Sequence, residues 1–525
     1  MILNPLFINK FTTENNQETE IETKFQNRQE FFTKEDNFSS YKENAMINEL
    51  SLGKNKRDII FMQKRLKKVL NIGQTQTLKS KLTIPLELFE KCDKMKIQIS
   101  QFKEVTEAFH SNDLLKKYSG LVGIRKLLIL SNSPTQELID INIVPELIFL
   151  LDNYSPEFQF EALLCLTNIS LDNKSQSRNI LEKGGLSKVI QLLDSNIEEI
   201  KIQSIILIGN LSNECYKIRD ILIKERAIDK IITILSSTKN IQLIRKSTSV
   251  ISIIFRIQPK PSIEIAKKSL NAICKSIIIL PKDIEFLNNA SFILCFISEY
   301  YKETINDLLN INIIPNLIKM ISVEAKLIQM NCLRIIGNIA SGNANQTQKL
   351  IDYGILDYLK KTLFSNYKKI RKESAWIISN IAAGTQKQIE TLIDQNILPL
   401  LIKIIKVDQP EIKQECLWAL CNLTSVENPI YLKKLLDQGI LNMICDCIKN
   451  EEGELLPVSL EAFRNLLVYG KKYNNNLGNI NPIVEKVDKM GMFDVLEKLQ
   501  LHPIEIVYEK TLNILEDFFD TQIVE

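Results

Sequence analysis

A helical motif with a central asparagine recurs about every 42 residues through most of this 525-residue chain. Neighbouring copies lie 42 or 43 residues apart, except across one gap of 128 residues. Two degenerate copies fill that gap, with Ile253 and Phe296 at the asparagine position. A fixed period of this size is typical of small units stacked side by side. The six clear copies carry their amides at Asn168, Asn210, Asn338, Asn380, Asn422 and Asn465.

Each unit is predicted to contain three helices. Apolar residues recur at i, i+3 and i+4 and β-alternation is absent, which favours an all-α fold. The second helix is predicted to begin at a proline, as at Pro145, Pro315 and Pro399. A unit this small cannot bury its apolar face alone, so neighbours must stack into a solenoid. With a divergent first and last copy, we expect about ten units.

Composition argues against an enzyme. The chain has two histidines and ten cysteines, with no CxxC pair and no Gly-rich phosphate loop. We therefore expect no catalytic residue, no metal and no cofactor. No apolar run is long enough for a membrane span and no secretion signal is evident, so a soluble intracellular protein is expected. Since the charges of the repeat region balance, we also expect no direct nucleic-acid binding.

Both tryptophans of the chain occupy the same repeat position, four residues before an asparagine. Positions i and i+4 share one helix face. One interpretation is that these indoles belong to the core. The alternative, which we favour, is a groove in which indoles hold lysine or arginine stems and asparagines bind the main chain of an extended basic peptide. A glutamate three residues before each indole would take the charged ends, giving Glu373, Trp376 and Asn380 in one unit and Glu415, Trp418 and Asn422 in the next.

These motifs resemble the importin-α (karyopherin-α) family of nuclear import adaptors. ESAWIISNIAAG and QECLWALCNLTS match the family's tryptophan–asparagine helices, and GNIASGNANQTQKLIDYGIL is similar to its sixth repeat, with Arg334 in place of the tryptophan. The C-terminal EKLQLHPIEIVYEKTLNILEDFF resembles its last repeat, which makes His502 structural. The resemblance covers about residues 47–520. It implies a right-handed superhelical solenoid of about ten armadillo repeats.

The family has a major peptide groove on repeats two to four and a minor groove on repeats six to eight. Here the major groove is eroded, because Leu164, Ile206 and Ser249 stand at its tryptophan positions and Ile253 at its third asparagine. The resemblance leaves a residual set there: Asn168, Ser177, Asn210 and Glu214. The minor groove keeps its set apart from an acidic residue replaced by Ala344, so cargo is expected mainly at Arg334, Asn338, Glu373, Trp376, Asn380, Glu415, Trp418 and Asn422.

The N-terminal region differs from the repeats in charge. Residues 1–45 are predicted to be a disordered acidic and polar tail, 46–72 a basic segment, 73–101 a linker or cap, and 102–520 the solenoid. The basic segment could be a solvated helix face or a nucleic-acid arm. Its position and spacing instead resemble the family's importin-β-binding helix, whose basic end also folds back onto the groove as an autoinhibitor. The residues that carry this resemblance are Lys54, Lys56, Arg57, Lys64 and Arg65.

The resemblance implies three kinds of partner: importin-β, cargo proteins with basic localisation signals, and an export receptor at the C-terminal repeats. It also implies shuttling between cytoplasm and nucleus through nuclear pores. The competing hypothesis is an armadillo scaffold of the β-catenin or vacuolar type that has lost import function, which the eroded groove favours. Binding of importin-β by residues 46–72 separates the two hypotheses.

Overall fold

The structure is a computed structural model that describes residues 84–171, 174–212, 216–450, 455–473 and 481–519. Within these ranges every regular element is an α-helix or a short 3-10 helix, which confirms the all-α prediction. The predicted tail, the basic segment and Glu214 lie outside the described residues. The chain divides into two compact units, and their described parts are residues 84–301 and 302–519. We call them the N-terminal unit and the C-terminal unit.

The N-terminal unit contains a 3-10 turn at Ile99–Gln101 and fourteen α-helices among its described residues. They are α1 (Leu86–Lys94), α2 (Phe102–Phe109), α3 (Leu114–Leu128), α4 (Thr135–Asp140), α5 (Ile143–Asn153), α6 (Pro156–Ser170), α7 (Lys174–Glu182), α8 (Gly185–Leu192), α9 (Glu198–Ser212), α10 (Tyr216–Lys224), α11 (Ala227–Ser237), α12 (Ile241–Arg256), α13 (Ile263–Ile279) and α14 (Ile284–Tyr300). Helix α1 lies in the segment predicted as linker or cap.

The C-terminal unit contains a 3-10 turn at Lys302–Thr304 and fifteen α-helices among its described residues. They are α15 (Ile305–Asn310), α16 (Ile314–Ile321), α17 (Lys326–Ala340), α18 (Ala344–Asp352), α19 (Ile355–Thr362), α20 (Lys368–Ala382), α21 (Gln386–Asp394), α22 (Ile397–Val407), α23 (Pro410–Leu423), α24 (Pro429–Asp437), α25 (Ile440–Asn450), α26 (Leu455–Tyr473), α27 (Pro482–Asp488), α28 (Met492–Leu499) and α29 (Glu505–Phe518).

The predicted three-helix unit is present in most repeats. Its long third helix occurs ten times in the described part of the chain: α3, α6, α9, α12 and α14 in the N-terminal unit, and α17, α20, α23, α26 and α29 in the C-terminal unit. Successive third helices pack against each other within each unit. The predicted prolines lie in the second helix but not at its first position. Pro145, Pro315 and Pro399 are the second or third helical residue, where a missing N–H is still harmless.

Where the structure describes the chain, a left-handed residue marks the turn between the first and second helices of eight repeats. Glycine supplies it in four repeats and a non-glycine residue in the other four. Asparagine tolerates this conformation better than most residues, whereas arginine is strained there. The eight residues, with φ between 53° and 88°, are Asn142, Gly184, Arg226, Asn312, Gly354, Asn396, Gly439 and Gly491.

The fifth repeat departs from the prediction because one 17-residue helix, α13, replaces its first two helices. Residues 257–262 precede that helix without regular structure. They contain Pro259 and Pro261, which have no N–H to donate to a helix. The buried guanidinium of Arg219 donates instead to the carbonyl oxygens of Ile257, at 2.6 Å, and of Pro259. The chain therefore passes from α12 to α13 through a fixed loop.

The core consists of a continuous run of leucine and isoleucine side chains between the helices of each repeat. In α9, for example, Ile200, Ile205, Leu207, Ile208 and Leu211 are fully buried. Burying a leucine or isoleucine side chain stabilises a fold by about 1.5–3 kcal/mol. Because apolar residues surround the third helices almost completely, few of their side chains remain available to a ligand.

Candidate functional site

The residues predicted for the minor groove lie on α17, α20 and α23, three third helices that pack side by side in the C-terminal unit. We call this groove the second groove and its residues the second-groove stripe. Each helix carries its large side chain and its asparagine four residues apart, on one face. The structure thus brings together the residues predicted for this groove, in three successive pairs: Arg334 with Asn338, Trp376 with Asn380, and Trp418 with Asn422.

Trp376 is buried rather than open. Its side chain is 2% exposed, and the guanidinium carbon of Arg334 lies 5.5 Å from its ring centroid. The ring also packs against Gly337, where a β-carbon would collide with it. The expected open face of this indole is therefore occupied by the protein's own cation, since Arg334 fills the position that a ligand lysine would take.

Glu373 is paired within the protein. Its Oε1 accepts an ion-pair contact of 2.7 Å from Nη2 of Arg334, and the two side chains are only 7% and 14% exposed. Glu373 had been expected to take the charged end of a ligand side chain. In this structure it holds Arg334 over Trp376 instead. The corresponding residue of the next repeat, Glu415, is half-buried.

Trp418 and Asn422 form the accessible part of the groove. Both side chains are half-buried, so each presents a surface to solvent. The amide nitrogen of Asn422 donates to the carbonyl oxygen of Ser379 on the preceding third helix, at 3.2 Å. Its side-chain carbonyl can still accept a hydrogen bond. This pair therefore leaves part of a ring and a side-chain carbonyl exposed to solvent.

The other two asparagines of this groove are buried. Asn338 is 2% exposed and Asn380 is fully buried. Neither amide atom of Asn380 has a hydrogen-bond partner among the described residues. An unsatisfied buried amide costs about 1–3 kcal/mol per group. Asn380 was expected to face the groove, and the structure shows it covered, with its donor and acceptor unused.

The positions predicted for the major groove lie on α6, α9 and α12 of the N-terminal unit, which also pack side by side. We call this groove the first groove and its residues the first-groove stripe. Its tryptophan positions are closed, because Leu164, Ile206 and Ser249 are 2%, 2% and 5% exposed. The third asparagine position, Ile253, is 3% exposed. This stripe therefore presents no aromatic face at the three positions where the family has one.

The residual first-groove residues serve contacts between repeats. The amide of Asn210 donates to the hydroxyl oxygen of Ser170 at 3.0 Å, and the buried hydroxyl of Ser177 donates to the Ser170 carbonyl oxygen at 3.0 Å. Asn168 is half-buried, and its amide nitrogen has no partner among the described residues. The structure brings these side chains together around Ser170, which the sequence analysis did not single out.

Two cations stand on the first-groove stripe that the sequence analysis missed. Lys246, three residues before the tryptophan position, is 8% exposed and lies 3.4 Å from Glu285. Arg256, three residues after the last asparagine position, stacks with its guanidinium carbon 4.4 Å from the Phe292 ring centroid. The sequence does contain a signal for Lys246, because it stands at the repeat position that Glu373 and Glu415 occupy in the second groove. Glu285 compensates the charge of Lys246, and the guanidinium of Arg256 lies against an aromatic ring.

An arginine–aspartate clasp joins neighbouring repeats in both units. Arg371 donates to Asp408 at 2.6 and 2.7 Å, and this bond lowers the pKa of the Asp408 carboxyl. Burial raises the pKa of Asp283, but the hydrogen bond from Arg245, at 2.6 Å, the backbone N–H of Phe286 and the charge of the guanidinium together outweigh it, so the pKa is lowered. Both aspartates therefore stay ionised to a lower pH than usual.

The described cysteines lie in the core of the repeats. Burial raises the pKa of the Cys274 thiol to about 12, and the free cysteines in the described ranges are all buried. Within the same ranges, no group of three or more His, Cys, Asp or Glu residues could hold a metal ion. No helix there is long and apolar enough to cross a membrane.

Fold and groove together define an armadillo-repeat protein. The armadillo/β-catenin-like repeat matches residues 131–171, 343–383 and 385–425, and an atypical armadillo repeat matches 481–525. A crystal structure of an engineered protein is similar, with a TM-score of 0.61, 19% identity, and coverage of 80% of this chain and 99% of that chain. This likeness supports the fold alone.

Curated relatives identify the family. Importin subunit alpha-B of Dictyostelium discoideum is 40% identical over 482 residues, 90% of this chain and 89% of that protein. Importin subunit alpha-3 of Arabidopsis thaliana is 32% identical over 75% of each chain. Importin subunit alpha-1b of Oryza sativa subsp. japonica is 30% identical over 79% of this chain and 78% of that protein. The chain belongs to the importin-α family, as a divergent member.

Proposed function

We propose that this protein is a nuclear import adaptor that binds basic localisation signals mainly in the second groove. Family membership supports the adaptor role. The observation that carries the choice of groove is the half-exposed Trp418 beside the half-exposed Asn422. The matching positions of the first groove carry buried aliphatic residues, Leu164 and Ile206. Only the second stripe offers a ring to a cation.

Recognition would start at Trp418. A lysine or arginine stem lies along the indole with cation–π attraction of about 0.5–2 kcal/mol. Glu415 is one turn away on the same helix, and its carboxylate attracts the charged end of that side chain. The free acceptor of Asn422 binds a main-chain N–H, whatever the sequence of the signal.

Asn380 would provide the second main-chain contact. A peptide bond supplies both a donor and an acceptor, which are the two partners that the buried Asn380 amide lacks among the described residues. Since Asn380 is fully buried, the side chains that cover it must move as the peptide docks. The hydrogen bonds that Asn380 then forms offset part of the free-energy cost of that rearrangement.

The remaining family partners complete the proposal. Importin-β would bind residues 46–72 through Lys54, Lys56, Arg57, Lys64 and Arg65, and the same basic residues would compete for the groove. An export receptor would bind the C-terminal repeats. The protein would then shuttle between cytoplasm and nucleus. These roles rest on the family and on the sequence of the basic segment.

The test is fluorescence polarisation with a labelled bipartite basic signal peptide and the full chain. Trp418→Ala should weaken binding about tenfold, the loss of one desolvated cation–π contact. Tyr508→Ala is the matched control, because Tyr508 is an exposed aromatic residue, 42% exposed, on another third helix. Equal affinity of Trp418→Ala and the unaltered chain would refute the second-groove mechanism.

A second measurement separates the adaptor from the scaffold. A peptide of residues 46–72 should bind importin-β, and charge reversal at Lys64 and Arg65 should abolish that binding. If neither this peptide nor the full chain binds importin-β, the scaffold hypothesis replaces the adaptor. Retained signal binding in that case would leave a peptide-binding armadillo protein without a transport role.

A further inference from the structure

A basic and aromatic edge precedes the groove residues of α20 along the chain. Residues 360–372, KKTLFSNYKKIRK, contain six lysines and arginines and no acidic residue. Three of these cations form ion pairs with carboxylates outside the segment: Lys360 with Asp357, Lys368 with Glu411 and Arg371 with Asp408. The segment runs from the end of α19, through the loop, into the start of α20. We call this segment, with Lys326, Lys403 and Lys406 around it, the α19–α20 edge. Because acidic and basic residues are nearly equal in number over the whole repeat region, the total charge does not reveal this local cluster of cations.

Two aromatic side chains are exposed on this edge, each beside a lysine from a neighbouring repeat. Phe364 is 40% exposed, with the Lys403 ammonium 5.1 Å from its ring centroid. Tyr367 is 48% exposed, with the Lys326 ammonium 4.6 Å from its centroid. The edge thus spans three successive repeats, on the order of 20 Å at about 10 Å per helix-packing step.

The loop that carries the two rings is fixed. Arg371 donates from Nη1 to the Ser365 carbonyl oxygen at 2.9 Å, and its other nitrogens donate to Asp408 of the next repeat. The Tyr367 backbone N–H donates to the Ser365 hydroxyl oxygen at 3.2 Å. A ligand therefore meets rings that are already positioned, which lowers the entropic cost of binding.

We propose that the α19–α20 edge binds single-stranded nucleic acid. Bases would stack on Phe364 and Tyr367 while the surrounding lysines pair with the phosphates. This combination of aromatic platforms and cations is how proteins bind single strands without reading sequence. An acidic polypeptide could use the lysines but has no comparable use for two exposed rings, so the chemistry favours the nucleic acid. The inference goes beyond the proposed cargo function and does not rest on it.

The test is fluorescence anisotropy of a labelled 20-nucleotide oligouridylate with the full chain. Binding is expected at 50 mM salt and should weaken about tenfold or more at 200 mM salt, because phosphate contacts release counterions. Phe364→Ala/Tyr367→Ala should weaken binding about tenfold through the lost stacking. Lys403→Gln/Lys406→Gln should also weaken binding and should flatten the salt dependence. This second variant keeps the loop and the core intact, so it remains informative if the first is unstable.

The control is Phe149→Ala, which removes an aromatic residue that is 57% exposed on another repeat. It should bind the oligonucleotide as the unaltered chain does. All edge variants should still bind a basic signal peptide, which separates failure of this inference from failure of the cargo function. No binding at 50 mM salt, or equal losses in control and edge variants, would overturn the proposal. So would a labelled 20-residue polyglutamate that binds equally well with the same sensitivity to both edge variants.

Discussion

The two stripes occupy equivalent positions of the repeat but differ in the side chains that they carry. In the first stripe, small and aliphatic residues at 164, 206 and 249 are sealed into the core, and Lys246 and Arg256 add positive charge. In the second stripe, aromatic side chains persist, but the protein's own Arg334 covers one of them. The first stripe has no aromatic side chain at its three tryptophan positions, whereas the second has one half-buried ring, at Trp418.

The difference shows that repeat position alone does not make a binding residue. Trp376 and Trp418 are equivalent by sequence, but Trp376 is 2% exposed with the guanidinium of Arg334 over its ring, whereas Trp418 is half-buried. The geometry of neighbouring side chains decides whether an aromatic residue stabilises the fold or meets a ligand. Substitutions that treat equivalent positions alike should therefore give unequal results.

The largest expected effect separates the two tryptophans. Trp376→Ala should lower the free energy of unfolding by about 3–5 kcal/mol, since it empties a buried aromatic site. Trp418→Ala should cost less, about 1–2 kcal/mol, because its side chain is already partly exposed to solvent. Urea unfolding followed by circular dichroism measures both. Repeat arrays need not unfold in one step, so the transition of the C-terminal unit is the one to compare.

Fluorescence provides an independent check of the same contrast, because the chain has only two tryptophans. Each single variant leaves one reporter. The Trp418→Ala chain reports buried Trp376 and should emit at shorter wavelength than the Trp376→Ala chain. Signal peptide should change the emission of Trp418 more than that of Trp376. Identical spectra from the two variants would contradict the burial difference.

The sequence was sufficient to predict the period, the all-α fold and the ten third helices, because these depend on apolar spacing within one unit. It was also sufficient to place Trp376, Asn380, Trp418 and Asn422 on one stripe. The burial of Trp376 depends on a contact one repeat away and on the missing side chain of Gly337. Such contacts between repeats leave no periodic signal. The sequence did not predict that the single helix α13 replaces two helices, because the apolar spacing in that region is helical throughout.

An intermediate effect is expected from the arginine–aspartate clasp, the feature that both regions keep. Asp408→Asn should cost about 1–2 kcal/mol at pH 7, less than a fully buried pair because Arg371 stays partly solvated. The pKa of Asp408 is lowered in the folded chain. Its contribution is therefore complete above the ordinary aspartate pKa of about 3.9 and disappears as pH falls through the lower folded value.

Asp283→Asn is the matched variant in the N-terminal unit, where the pKa of the aspartate is lowered as well. Acid titration of unfolding, followed by circular dichroism, should show a smaller loss of stability between pH 5 and pH 2 in each variant than in the unaltered chain. An unchanged acid profile in both would mean that neither clasp stabilises its unit.

The smallest expected effect concerns the left-handed turns, where the two units use different residues. Arg226 holds φ at 59° in the N-terminal unit, and Gly354 holds 77° at the same repeat position in the C-terminal unit. Arg226→Gly should stabilise its unit by up to about 1 kcal/mol, because relief of the left-handed strain exceeds the added chain entropy. Gly354→Ala should destabilise by about 1 kcal/mol for the converse reason, although a β-carbon there has open space. Thermal unfolding of the two variants measures whether each substitution raises or lowers the stability of its unit. If both substitutions destabilised, the strain at Arg226 would have to be offset by its contact with Asp229, whose carboxylate lies 3.7 Å from the guanidinium.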